Sequence, residues 1–301
     1  MRAAAALALV SVALLIAARA EPEPRLEEVG RLVLSHPDPR FGGLSGIITD
    51  AGGTALTMVS DRGALVTARL VRRDGRITGI ADIALHPLFS EKGRPIEGFR
   101  GDAEDIAPDG AGGFLISFEG WHRIRRHPGP GTRGEPVPDC DGFARLQRNS
   151  GLEALARAPD GTILAIPERS GARDRPFPVF RIRDGVCDTR LQLPRRGPYL
   201  VTGADIGPDG RLYVLERHFA LIGFAVRLRV FTIDGDRLTG EETLLETPVG
   251  ALGNMEGVAV WRDDAGAIRI LLVADDNFSV FQRSELVEYR LRPIAPPAAG
   301  D

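Results

Sequence analysis

The chain has 301 residues, 43% apolar and 26% charged, which is enough for one large hydrophobic core. A formal net charge of −3 advertises neither a basic nucleic-acid surface nor a polybasic membrane patch. With 36 Gly and 22 Pro, the composition suits a turn-rich β protein. Lys92 is the only lysine, and we read the preference for arginine as composition bias rather than phosphate recognition.

Residues 1–20, "MRAAAALALVSVALLIAARA", have the form of a secretory signal. Arg2 precedes an apolar run, and Ala18-Arg19-Ala20 supplies the small-x-small cleavage pattern. The run of about 15 apolar residues falls short of the roughly 20 that a spanning helix needs. The expectation is a mature chain starting near Glu21, exported to the periplasm or secreted, with no stable membrane insertion.

An apolar strand, "GRLVLSH" (30–36), comes next, and five similar units follow it. Each opens with a short strand: "GLSGIITD" (43–50), "DAEDIAPDG" (102–110), "GLEALARAPDG" (151–161), "GADIGPDG" (203–210) and "NMEGVAVWRDD" (254–264). A tight turn, three times Pro-Asp-Gly, leads to a second apolar strand, and a third and fourth usually follow. The spacing of roughly 50 residues is that of a four-stranded propeller blade. The last unit shows only three strands, so the strand at 30–36 is expected to complete it and remove the open edges. The fold expected is all-β: a β-propeller of four-stranded blades, five readable, with a sixth possible within 64–101. A two-sheet sandwich also has short alternating strands, but it has no reason to repeat an acid at one point of each unit.

Those acids recur in register. The second strands end at Asp61, Glu119, Glu168, Glu216 and the pair Asp275-Asp276. The opening strands carry Glu104, Glu153, Asp205 and Glu256, with Ser45 in the first unit and Asp205 out of step by a few residues. In a propeller these positions meet at one mouth. Two carboxylates about 6 Å apart repel by roughly 3 kcal/mol at an effective dielectric of 20, so such a ring needs arginine partners, shared protons or a cation. Arg62, Arg169, Arg217 and Arg283 are at hand for a structural network. Asp275, Asp276, Asn277, Asn254, Glu256 and Glu104 supply the oxygen donors that calcium prefers. Zinc is poorly served, because the five histidines show no HxH or HxxxH spacing. His122 and His218 each follow a second-strand acid closely enough to face the same mouth.

Ser45 lies in "GGLSG", which is not the G-x-S-x-G elbow, and reads as a channel-lining hydroxyl rather than a nucleophile. Asp109, Asp160 and Asp209 of the Pro-Asp-Gly turns read as structural. Cys140 and Cys187 stand in similar contexts of successive units, "CDGFARLQ" and "CDTRLQL", which leaves both a bridge and two free thiols open.

The stretches "FGGLSGI", "GDAEDIA", "GLEALA", "GADIGPDGRLYVLER" and above all "NMEGVAVWRD…LVADDNFSVFQR" resemble the phytase-like domain, often described as the esterase-like activity of phytase family. The resemblance covers about residues 40–292, after an N-terminal segment 21–39 and before a tail 293–301 expected to be disordered. It implies an exported bacterial propeller. It also implies functional weight at Asp61, Arg62, Glu104, Glu119, Glu153, Glu168, Glu216, Arg217, Asn254, Glu256, Asp275, Asp276, Asn277 and Arg283. An acidic mouth with so little lysine departs from a site built for phytate, unless a bound metal inverts the field.

Two functions follow as expectations. One is metal-assisted hydrolysis of a phosphate or carboxylic ester, with Glu104, Glu256 or His218 in acid-base roles and a divalent cation, calcium by donor type, at Asp275, Asp276, Asn277 and Asn254. The other is a non-catalytic ligand-binding or scaffold propeller. The expected partner in either case is a small molecule, met by a monomer.

Overall fold

The computed structural model describes residues 25–148 and 150–293; the expected signal and nearly all of the expected tail lie outside them. Among the described residues the chain forms five four-stranded antiparallel sheets and one two-stranded ribbon. Blade 1 comprises Leu44–Thr49, Ala55–Ser60, Ala64–Arg73 and Arg76–Pro87. Blade 2 comprises Ala103–Pro108, Phe114–Phe118, Arg123–His127 and Glu135–Pro136. Blade 3 comprises Leu152–Arg157, Ile163–Pro167, Phe180–Arg183 and Val186–Asp188, and blade 4 Leu200–Ile206, Leu212–Phe219, Phe224–Asp234 and Arg237–Glu246. Blade 5 comprises Asn254–Arg262, Ile268–Asp275 and Glu285–Leu291, and its fourth strand is the N-terminal Leu26–Val33, antiparallel to Glu285–Leu291. The segment in which a sixth unit could lie is the outer half of blade 1 and a connection.

Packing explains why the strands are apolar on both faces. There are five hydrophobic clusters, one at each junction between neighbouring blades. In Ile268–Asp275, Ile270, Leu272 and Ala274 face blade 4, while Leu271 and Val273 face blade 1. Period-2 alternation therefore sends successive side chains into two different cores, and "ILLVA" can be continuous because neither face meets water. Each such side chain contributes roughly 1.5–3 kcal/mol on full burial.

The inner strands meet around a common axis. Asp105 of blade 2 is buried there; its carboxylate accepts the N–H groups of Ile106, of Leu155 in blade 3 and of Ala204 in blade 4. The equivalent positions are Gly46, Ala154, Gly203 and Gly257. A Cβ at Gly46 would lie 2.7 Å from Asp105 Cα, and one at Gly257 would lie 2.8 Å from Ser45 O. Only the smallest residues leave room for one aspartate at the centre.

The Pro-Asp-Gly aspartates cap their own turns: Asp109 accepts from Ala111 and Gly113, Asp160 from Thr162, and Asp209 from Arg211. Cys140 and Cys187 form a disulfide with Cα atoms 5.6 Å apart. They are not equivalent places. Cys140 lies in the connection that enters blade 3, and Cys187 lies on that blade's outermost strand.

Candidate functional site: an acidic axial cavity

Each inner strand carries a β-bulge near its start, and the bulge aims one extra side chain at the axis. The residues so placed are Ser45, Glu104, Glu153, Thr202 and Glu256. The same register makes Asp61, Glu119, Glu168, Arg217 and Asp275 equivalent at the ends of the second strands. Each follows the residue that pairs just before the bulge, as Asp61 follows Ser60 opposite Leu44, and Arg217 follows Glu216 opposite Val201.

Except for Thr202, these two sets line one cavity of about 240 Å³ together with Asp102 and Asn277. Eight carboxyl groups (Asp61, Asp102, Glu104, Glu119, Glu153, Glu168, Glu256 and Asp275) face a single guanidinium, that of Arg217. Blade 4 alone contributes no acid to the lining, only the arginine; the hydroxyl of Thr202 donates to Met255 O.

The charge is managed in three ways. Arg217 pairs with Glu256 and donates to Asn254 Oδ1, with Glu168 farther off at 3.7 Å. Burial alone would lower the Arg217 pKa, but Glu256, Glu153 and Glu168 hold it above its usual value. Protons are retained elsewhere. Burial, then the charges of Asp275 and Asp102, push Asp61 up to about 7. Burial and Asp102 take Glu119 to about 7. Burial takes Glu256 to about 7 against the pull of Arg217, and Asp275 to about 6 against the N–H of Asn277. Glu104 and Glu153 rise well above the usual carboxylate range through burial and their acidic neighbours.

Third, oxygens are left for a cation. Asp102, Glu104 and Glu119 bring one ligand oxygen each to within 4.8 Å of one another. Burial raises Asp102, while hydrogen bonds from Glu119 and Glu104 to its carboxylate oppose the rise. Glu153 is only 6% exposed and lines the cavity without a hydrogen-bond partner for its carboxylate among the described residues. Asp61 Oδ1 is likewise buried without a partner. The donor set is all oxygen, which fits a hard cation.

Several expected site residues take other roles. Glu216, fully buried, lies inside blade 4, bound by Arg227 at 2.8 Å and Arg229 at 2.6 Å, and does not line the cavity. Asp205 accepts the N–H of Val260 in blade 5, away from the mouth. Of the expected metal set, Asn254 donates to Glu256 and accepts from Arg217, Asp276 accepts the N–H groups of Gly43 and Phe278, and Asn277 donates to Gln282. Asp275 does line the cavity, but Asn277 N–H occupies its Oδ1. His218 packs against Tyr199 outside the cavity lining. Arg62 stacks on Phe278, its guanidinium carbon 3.2 Å from the ring centroid. Arg283 lines a separate groove with Leu221 and Phe281. Asp102 was missed because it precedes its strand and has no acidic counterpart in the other units.

The fold and the cavity together define a five-bladed propeller with an acidic, proton-loaded well at the mouth of its axis. The family profile described as "Phytase-like: Esterase-like activity of phytase" matches residues 39–278. The chain belongs to that family. No curated protein sequence matches it. Among solved structures, it resembles the α-L-arabinofuranosidase of Podospora anserina in complex with cellotriose (10% identity, TM-score 0.51, 88% of this chain and 98% of that one). It is also similar to the endo-arabinase of Bacteroides thetaiotaomicron (11%, 0.49, 85% and 95%) and to a protein of unknown function from Dyadobacter fermentans (11%, 0.47, 89% and 100%). At such identity the first likeness speaks for the fold alone.

Proposed function

We propose that the chain hydrolyses a phosphate or carboxylic ester in the axial cavity, assisted by a divalent cation. The observation that carries this reading is the meeting of Asp102, Glu104 and Glu119 in a well where eight carboxyls face one guanidinium. Those three residues would hold the ion, and their oxygens suit calcium. When bound, such an ion polarises an ester oxygen and lowers the pKa of water.

The chain's own groups supply the rest. Asp61, with an unpartnered oxygen and a pKa near 7, is the general base that takes a proton from the attacking water. Arg217, pinned by Glu256 and Asn254, offers a fixed positive charge to the anion that develops. Asp61, protonated as the water attacks, can return the proton to the departing alkoxide. The family membership supports the reaction class, and the Cys140–Cys187 bridge supports an oxidising compartment, periplasmic or secreted. We take the working unit to be a monomer acting on a small molecule.

The test is turnover by pure protein of an aryl phosphate, an aryl acetate and a sugar lactone with calcium, magnesium or manganese. The expected result is cation-dependent hydrolysis that drops by about 10²–10⁴-fold in Asp61→Asn. Failure on every ester with every ion sinks the hydrolase reading. The Arg217–Glu256–Asn254 network, complete without a substrate, then favours a ligand-binding or scaffold propeller.

A further inference from the structure

Beside the acidic well lies its electrostatic opposite. The loop after the second strand of blade 3 reads Arg169-Ser-Gly-Ala-Arg173-Asp-Arg175, and the segment entering blade 4 brings Arg195 against it. Arg169, Arg173 and Arg195, with Gln147, Gly171 and Ala172, enclose a cavity of about 180 Å³ that has no carboxylate in its lining.

The pocket is built rather than incidental. Ser170, 6% exposed, accepts Arg195 Nη1 at 2.8 Å and donates to Ala172 O at 2.7 Å. Arg195 Nη1 also meets Ala172 O at 3.2 Å, which fixes the guanidinium in place. Arg195 Nε is buried with no acceptor, and Arg173 makes no ion pair among the described residues. Only Arg169 is matched, by Glu168 at 3.0 Å, and Glu168 also lines the acidic well. Burial, and then the positive charges of Arg173 and Arg169, lower the Arg195 pKa, against the smaller opposing pull of the Glu216 carboxylate inside blade 4.

We propose that Arg169, Arg173, Arg195 and Gln147 form an anion subsite on the rim of the well, shaped for a phosphate or carboxylate group. That the bound group belongs to the molecule cleaved in the well rests on the hydrolase reading; the anion site does not. A substrate with an ester at one end and an anionic group at the other would span the two pockets. The arginine pocket would offset the repulsion between the acidic well and an anionic substrate, and forked guanidinium donors suit both oxyanions.

The binding test uses protein stripped of divalent ions on a chelating resin and titrated calorimetrically with inorganic phosphate, then with acetate. Saturable one-site phosphate binding is expected, weakened about tenfold or more in Arg173→Ala and unchanged in the exposed control Arg237→Ala. Arg173 makes no hydrogen bond or ion pair among the described residues, so its variant tests the pocket without unfolding the loop. Tighter acetate than phosphate binding assigns the pocket to a carboxylate source. If neither anion saturates, or if Arg173→Ala binds as the parent does, the subsite is refuted. With any ester that turns over, Arg173→Ala should raise KM more than it lowers kcat; an unchanged KM separates the pocket from the substrate. Phosphate binding without turnover of any ester keeps the subsite and overturns the hydrolase reading instead.

Discussion

Arg217 and Glu256 face each other across the junction of blades 4 and 5, and Arg217, which also reaches Glu168 at 3.7 Å, is the one cation in the lining of the well. Arg217 occupies the position that is acidic in the other four blades. The well is thus asymmetric, with its one cation on blade 4 and the cluster of Asp102, Glu104 and Glu119 that could hold a metal ion at blade 2.

Replacing Arg217 with Met should leave Glu256 and Glu153 buried without a counter-charge. A loss of about 3–5 kcal/mol is expected when the partner of a buried ion is removed. Urea unfolding at pH 8 and pH 5 checks it. The loss should be larger at pH 8, where the remaining carboxylates are pressed to ionise.

The pH dependence of stability follows from the raised carboxyls. Asp61, Glu119 and Glu256 titrate near 7 and Asp275 near 6 in the fold, whereas carboxylates in an unfolded chain titrate at about 4. Between those values the folded protein holds more protons, so its stability is full below about pH 4 with respect to these groups and falls as pH rises to about 7. Asp38, Asp188 and Glu241, held near 2, act in the opposite sense, but only in more acid solution. Metal-free protein should lose at least about 1.4 kcal/mol between pH 5 and 8, the worth of one pKa unit. A rise over that range would contradict the cavity electrostatics.

Calcium should reverse that loss. An ion bound only by the folded state adds about 2.7 kcal/mol at a hundred times its dissociation constant. Glu104→Gln should abolish the calcium-induced shift in Tm. Asp276→Asn should keep it, because Asp276 is occupied with the Gly43 and Phe278 N–H groups. The reverse pattern would return the ion to the C-terminal tip.

The Cys140–Cys187 bridge spans 47 residues, for which chain entropy gives about 4 kcal/mol. The double Ala variant should unfold at lower denaturant by about 2–4 kcal/mol, and added reductant should have no further effect on it.

Much of this architecture is legible in the sequence because blades repeat. The five units, the final blade completed by the N-terminal strand and the convergence of Glu104, Glu153, Glu256 and Asp275 all follow from periodicity. What periodicity does not carry is the bulge. One extra residue per inner strand shifts which neighbour reaches the axis, so in blade 4 Arg217 rather than Glu216 lines the well, and Thr202 rather than Asp205 takes the bulge position. The disulfide stays undecided in the sequence for a related reason. Similar words around Cys140 and Cys187 suggest equivalent places, but one lies in a connection and the other on an edge strand. Composition does not set the arginines of 169–195 apart, because their pocket forms only where segments distant in sequence meet.

Asp105 sits below all of this. One carboxylate, gripped by backbone amides from three blades and flanked by glycines, stoppers the shaft. The well is therefore a cup and not a tunnel. Whatever enters must depart by the same door, so the cavity exchanges one occupant for the next rather than passing molecules along the axis.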